Sequence, residues 1–242
     1  MIGIVPAAGR GTRLGSLTAD TPKALVPVAD RPVIERVIEA VLDTGVEVIV
    51  VVVGHLGDQV VDRVRRTMPE ADIRFVHQEI RDGNVGALLA AEGHAGGGPF
   101  LYAWADLVTS RWAVASLVEG FDGSHSVLGV DRSTDPRRGA AVTVGDGRVV
   151  SIVEKPAPGS FDTPYNASGL GVLHREAWSF LHDVEPSERG ERELTTALSN
   201  MVEDGCEIEA IDLGVVLDIG TPEGLRRAER WVRENESDHP AG

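Results

Sequence analysis

Lys23 and Lys155 are the only lysines in a 242-residue chain that otherwise draws its positive charge from 21 arginines. Both stand beside prolines, in TPKALVPV and VEKP. An ammonium is a compact point charge on a flexible stem and can follow a phosphate oxygen as its geometry changes, whereas a guanidinium fork favours fixed bidentate pairing. Either lysine alone could be a survivor of an arginine-biased composition; the pair points to two phosphate-bearing groups. Lys23 closes the stretch PAAGRGTRLGSLTADTPKALVPV, residues 6–28, in which Gly9, Gly11 and Gly15 let backbone N–H groups approach an anion without interference from a Cβ. With Arg13 and Lys23 added, the loop is a site for a triphosphate, backbone donors taking some oxygens and two cations the rest. Arg10 reads as a solvated loop residue within reach of phosphate. A dinucleotide fingerprint fits less well, because Gly15 falls one place late and no acid ends the second strand, and a Walker loop is excluded by the absence of G-K-[ST].

Other residues bear on the chemistry singly. Asp218 sits among aliphatics in VVLDIGT, where a carboxylate is costly unless a cation or hydrogen bonds meet it. Asp106 ends a strand, with helix capping as its plain structural alternative. Gln78, at another strand end, can offer a donor and an acceptor to a pyrimidine edge, or be a surface glutamine. The seven histidines lack ligand spacing, which speaks against zinc. Cys206 stands alone, ruling out a disulfide framework and fitting a reducing cytoplasm. A net charge of −15 excludes a broad nucleic-acid surface, so an anionic ligand must meet a local basic pocket. The longest aliphatic run, Val48 to Val53, is far short of the ~20 residues that span a bilayer, and neither export nor membrane insertion is expected.

The elements that must position these residues alternate. Ile2 to Val5 is a strand. Pro32 opens a helix whose apolar face carries Val33, Val37, Ile38, Val41 and Leu42 and which stops at Thr44-Gly45. Val46 to Val53 is a strand buried on both faces, the mark of a parallel sheet under helices. Helix 59–68, strand 72–76, helix 85–94 and strand 100–105 continue the series, an open doubly wound sheet with ligands at the carboxyl ends of its strands. The opening loop, Gln78 and Asp106 all fall there. Past residue 123 the rhythm becomes strand-rich, over 126–130, 140–144, 149–154 and 170–173, with Gly145-Asp146-Gly147 as a hairpin turn. Helices at 175–182 and 194–203, short strands at 208–213 and 215–219, and a closing amphipathic helix from Pro222 to Glu234 follow. The reading is a single domain over 1–236, made of a 1–122 half and a 123–236 half, with a frayed tail at 237–242.

PAAGRGTRLGSLTADTPKALVPVADRPVIERVIE resembles the signature of the sugar-phosphate nucleotidylyltransferases, the makers of nucleotide sugars. The resemblance continues through GNVGALLAA, VEKP, RGERELTTAL and LDIGTPEGLRRA, so it covers nearly the whole chain. It implies a Rossmann-like α/β fold, a mixed and mainly parallel sheet with a small β-rich sugar-binding lobe. The implied reaction is attack by a sugar-1-phosphate on the α-phosphorus of a nucleoside triphosphate, releasing pyrophosphate, with Mg²⁺ on Asp106 and Asp218. By the same resemblance Ala7, Ala8, Gly9, Gly11 and Gly83 embrace the nucleotide, Arg13 holds the departing phosphates and Lys23 meets the α-phosphate. Glu154, Asn166, Ser168 and Gly169 would contact the sugar, and Lys155 its phosphate. This chain departs from the family in carrying Ala105, with Trp104 before it, where a glycine usually precedes the first metal aspartate.

The Ala-Ala-Gly form of the loop resembles uridylyl and thymidylyl enzymes, which favours UTP or dTTP. Within the fold, the rival readings are a cytidylyltransferase acting on choline-, inositol- or other alcohol phosphates and a guanylyltransferase for heptose-like sugars; outside it, a catalytically silent nucleotide-binding regulator. Assembly into a homo-oligomer is left open.

Overall fold

The computed structural model describes residues 1–80, 82–132, 139–157, 160, 162–188 and 190–235; the expected frayed tail at 237–242 lies outside them. In chain order the strands are β1 (Ile2–Pro6), β2 (Pro27–Val28), β3 (Arg31–Pro32), β4 (Val48–Val53), β5 (Asp72–His77), β6 (Phe100–Ala103), β7 (Leu107–Thr109), β8 (Ser126–Arg132), β9 (Ala140–Gly145), β10 (Arg148–Glu154), β11 (Tyr165–Leu173), β12 (Ile208–Asp212) and β13 (Val216–Asp218). The α-helices are α1 (Val33–Leu42), α2 (Gly57–Thr67), α3 (Asn84–Ala95), α4 (Arg111–Gly120), α5 (Ala177–His182), α6 (Leu194–Glu203) and α7 (Pro222–Asn235).

Nine strands form one sheet in the order β5-β4-β1-β6-β11-β8-β12-β10-β9. Pairing is parallel at β5/β4, β4/β1, β1/β6 and β8/β12 and antiparallel elsewhere, so β11 and β10 alone run against the other seven. The sheet is therefore mixed with most strands sharing one direction, as the family resemblance implied. β9 also pairs with β11, at Tyr165↔Val142 and Asn166↔Ala141, which closes β11, β8, β12, β10 and β9 into a ring. That ring is the β-rich lobe. β11 serves both parts: Tyr165 to Ala167 pair within the lobe, Leu170 to Leu173 pair with β6, and a bulge between Ala167 and Gly171 separates the two stretches.

Apolar side chains bury both faces. Val51 and Val53 of β4 join Ile34, Ile38 and Val41 of α1, Val60 of α2 and Leu117 of α4 on one face. Val50 and Val52 meet Leu88 of α3 on the other, in a core that also takes in Leu181 of α5 and Leu198 of α6. A third cluster sets Ala228 and Val232 of α7 against Leu14, Val28 and Ile219. Burying Glu35 between α1 and α2 is possible because Arg63 Nε donates to it at 2.6 Å.

Three local expectations change. Pro32, expected as the first helical residue, has extended backbone angles and precedes the helix. The strand expected at 215–219 is β13, but α4, β7 and the pairing of β7 with β13 are not among the elements the sequence reading gives. The residue capping α4 is Ser110, whose Oγ accepts from the Ala113 N–H at 3.2 Å, so Asp106 is not a cap and is free for another role. The hairpin turn is as expected, with Asp146 and Gly147 both at positive φ (51° and 78°).

Candidate active site

The loop after β1 is held by its neighbours: Ala7 N–H donates to Val52 O at 2.7 Å and Ala105 N–H to Pro6 O at 3.1 Å. It leaves the sheet at the carboxyl ends of β1, β4 and β6 and floors a cleft of about 560 Å³ lined by Ala7 to Thr12, Lys23, Gln78, Gly83, Asn84, Trp104 and Asp106. Gly11 has φ +65°, and a Cβ there would come within 2.8 Å of Lys23 Cβ. The turn thus needs glycine twice over, for its angle and for the lysine stem that lies against it.

A second cleft, of about 430 Å³, is lined by Asp131 of β8, Glu154 of β10, Asn166 to Gly169 of β11, Thr195 of α6, Asp218 of β13 and Arg227 of α7, among others. The β11 bulge shapes one wall. Gly169 sits at φ +84°, its carbonyl accepts from Trp104 N–H at 3.2 Å, and a Cβ there would lie 2.3 Å from Trp104 Cδ1. The departure at Trp104 is therefore accommodated by Gly169: the indole occupies the space the glycine leaves. Ser168 donates its hydroxyl to Gly129 O at 2.8 Å and is nearly buried.

Asn84, Trp104 and Asp106 line both clefts, so the two meet there. At the junction Lys23 Nζ binds Asp106 Oδ2 and lies 3.3 Å from Asp218 Oδ1. The acids are brought together by the β7/β13 ladder, in which Asp218 stands opposite Leu107, and by Ile219 N–H donating to Asp106 O at 3.1 Å. Burial by itself would lower the Lys23 pKa, but the charges of Asp106 and Asp218 and hydrogen bonds to both outweigh it and hold it above the ordinary lysine value. Lys23 is a cation clamped by two carboxylates. Among the described residues no cluster of three or more His, Cys, Asp or Glu could hold a metal ion. Two hard oxygen donors converging on one point suit a magnesium ion that takes its other ligands from phosphate and water.

Most residues expected at the site line one cleft or the other. Ala7, Ala8, Gly9, Gly11, Lys23, Gln78, Gly83 and Asp106 face the first; Arg13, Asp106, Glu154, Asn166, Ser168, Gly169 and Asp218 face the second. Arg13 is thus on the second cleft, whereas Arg10, read as solvated, lines the first. Lys155 lines neither; its backbone is at φ +45°, its N–H donates to Gly139 O at 2.9 Å, and its Nζ lies 3.0 Å from Glu154 Oε1 at the rim. Gln78 donates Nε2–H to Gly83 O at 2.9 Å, so part of its amide fastens the loop.

Residues not read as functional also stand at the site. Asn84 Oδ1 accepts from Leu194 N–H at 2.6 Å, tying the start of α3 to the start of α6. Arg192 donates to the carbonyls of Val184 at 2.7 Å and of Leu181 and His182 at 2.9 Å, and its backbone brackets Gly83, so the 191–194 segment bearing Glu191 and Glu193 closes one side of the first cleft. The motif RGERELTTAL pointed to this segment without showing which residues matter. Cys206 takes no part, and burial pushes its thiol pKa up, away from reactivity.

The family model described as nucleotidyl transferase matches residues 2–235. A UTP–glucose-1-phosphate uridylyltransferase of Haloferax volcanii, AglF, is 31% identical over 245 residues, an alignment covering 97% of each chain. The bifunctional protein GlmU of Methanococcus maripaludis is 30% identical over 92% of this chain, which spans about half (52%) of that longer protein. A Bacillus anthracis structure provisionally named a glucose-1-phosphate thymidylyltransferase, solved with sucrose, superposes with a TM-score of 0.87 at 25% identity, covering 100% of this chain and 97% of that one.

Proposed function

The chain belongs to the nucleotidyl transferase family, and on that premise we propose that it couples a nucleoside triphosphate to a sugar 1-phosphate, yielding a nucleoside-diphosphate sugar and pyrophosphate. The observation that carries the reading is the junction: two clefts of ligand size share Asp106, and Lys23 places a cation between Asp106 and Asp218. In the reaction an oxygen of the sugar phosphate forms a bond to the α-phosphorus and the bond from that phosphorus to the bridging α–β oxygen breaks. Such transfers rest on positioning and charge neutralisation more than on a protein nucleophile.

The loop Ala7 to Gly11 gives backbone donors to the triphosphate. Lys23, already at the meeting point, moves its ammonium onto the α-phosphate as negative charge develops there. Asp106 and Asp218 hold Mg²⁺, which when bound supplies charge neutralisation on the phosphate oxygens. Glu154 orients the sugar from the second cleft, with Asn166, Ser168 and Gly169 on the facing wall, and Lys155 at the rim meets the incoming phosphate. Arg13 reaches phosphate from the second cleft's side and Arg10 from the first. The halves 1–122 and 123–236 accordingly take the nucleotide and the sugar phosphate. UTP or dTTP is favoured, on the Ala-Ala-Gly loop, on Gln78 in the first cleft and on relatives named for uridylyl and thymidylyl transfer. A cytoplasmic setting is supported by the lone free thiol. Among the described residues no helix is long and apolar enough to cross a membrane.

Pyrophosphate release measured for each common triphosphate against a panel of sugar 1-phosphates and alcohol phosphates, with and without Mg²⁺, tests the reading. The expected result is Mg²⁺-dependent release with UTP or dTTP and a hexose 1-phosphate. Release only with CTP and an alcohol phosphate, or with no pair, overturns it.

A further inference from the structure

Asp131, next to last in β8, lines the second cleft and stands directly opposite Asn166 of β11 in the strand register. It has the marks of a carboxylate kept for a ligand. The cation next to it in sequence, Arg132, is committed elsewhere: its Nε donates to Asp212 at 3.0 Å, its Nη2 to the Tyr165 hydroxyl at 3.2 Å, and its guanidinium lies 5.3 Å from the centre of the Tyr165 ring. Asp212 on β12 repels Asp131, and Arg227 on α7 attracts it without closing an ion pair within 4 Å. Apart from its own backbone N–H, Asp131 therefore has no side-chain hydrogen bond or ion pair with a described residue, although it is more than half buried and lines a cleft with room for a sugar. Burial pushes its pKa up to about 6, with only its own backbone N–H and Arg227 to offset that. A protein gains nothing for its own stability by holding a carboxyl this way; a bound polyol does supply the missing donors.

We infer that Asp131 is a specificity residue that accepts a hydrogen bond from a ring hydroxyl of a hexose 1-phosphate in the second cleft, whose lining it shares with Asn166 and Glu154. The inference rests on the proposed reaction for the presence of the sugar phosphate, but its test is binding and is independent of turnover. Calorimetric titration of the whole protein with glucose 1-phosphate and with its monodeoxy analogues, repeated on Asp131→Asn and Asp131→Ala, reads the contact directly. The expected outcome is a loss of affinity of roughly 10- to 100-fold in Asp131→Ala, the range for a hydrogen bond to a charged group. One deoxy analogue should bind the wild type as weakly as the parent sugar phosphate binds that variant, and the variant should no longer distinguish the two. Nucleotide affinity should stay within about two-fold, since Asp131 does not line the first cleft. Unchanged sugar-phosphate affinity, undiminished discrimination against every deoxy analogue, or no binding of glucose 1-phosphate by the wild type overturns the inference. Failure of pyrophosphate release with intact, Asp131-dependent sugar-phosphate binding would instead count against the proposed reaction alone.

Discussion

Replacing Asp131 by asparagine should make the protein more stable, and by an amount that depends on pH. The carboxyl titrates at about 6 in the folded chain against 3.8 for an ordinary aspartate, because burial and Asp212 disfavour its charge more than Arg227 favours it. Below 3.8 the group is protonated whether the chain is folded or not, and it carries no penalty. As pH rises from there the unfolded chain ionises first and stability falls, until above 6 the folded form is ionised as well and the penalty is complete. A shift of about two units corresponds to about 3 kcal/mol, an upper figure since the site borders an open cleft. Asparagine has the same shape and no charge, so the variant should gain about 1–3 kcal/mol at pH 8, or about 2–10 °C in melting temperature for a chain of this size. Calorimetric melts of both proteins at pH 8 and near pH 4 measure this directly. An equal gain at both values would mean that packing and not ionisation is responsible, and no gain at pH 8 would refute the reasoning.

Two further substitutions probe the junction. Lys23→Met should cut turnover by about 10²- to 10⁴-fold and leave Asp106 and Asp218 facing each other without their cation, so Mg²⁺ should raise the melting temperature of the variant more than that of the wild type; melts with and without Mg²⁺ alongside the rate assay decide it, and a near-normal rate removes Lys23 from the chemistry. Gly169→Ala should cost about 2–4 kcal/mol, from a Cβ at φ +84° and from its 2.3 Å approach to Trp104, and should weaken sugar-phosphate binding as the indole shifts; urea denaturation and a sugar-phosphate titration would show it, and a loss under about 1 kcal/mol would mean that the indole has room to move.

What could be read from the sequence was whatever is written within a few residues. A β-branched strand running into glycines announces a phosphate loop locally, the βα alternation up to residue 105 carries its own periodicity, and Lys23 and Lys155 stand out against a background of arginine. β7 was missed because three residues, Leu107 to Thr109, are too few to show a period, and α4 because RWAVASLVEG carries apolar or small residues nearly all round. Of the two, β7 bears on the site. The pairing of β7 with β13 sets Asp218 beside Asp106, and Lys23 can answer both acids at once, while solvent reaches more than half of the Asp218 side chain, so the aliphatic setting of VVLDIGT does not bury its carboxylate. The closure of the lobe through Tyr165↔Val142 is equally non-local, and it shapes the cleft that Asp131 borders. Asp131 itself has no local signal: an aspartate near a strand end is ordinary, and it becomes a candidate reader only once Asp212 and Tyr165 have taken the neighbouring Arg132, leaving the carboxylate without an ion pair among the described residues. Reaction class can thus be legible in a loop while substrate choice stays hidden, because the loop that floors the first cleft is a run of consecutive residues and the second cleft is lined by side chains that only tertiary pairing brings together.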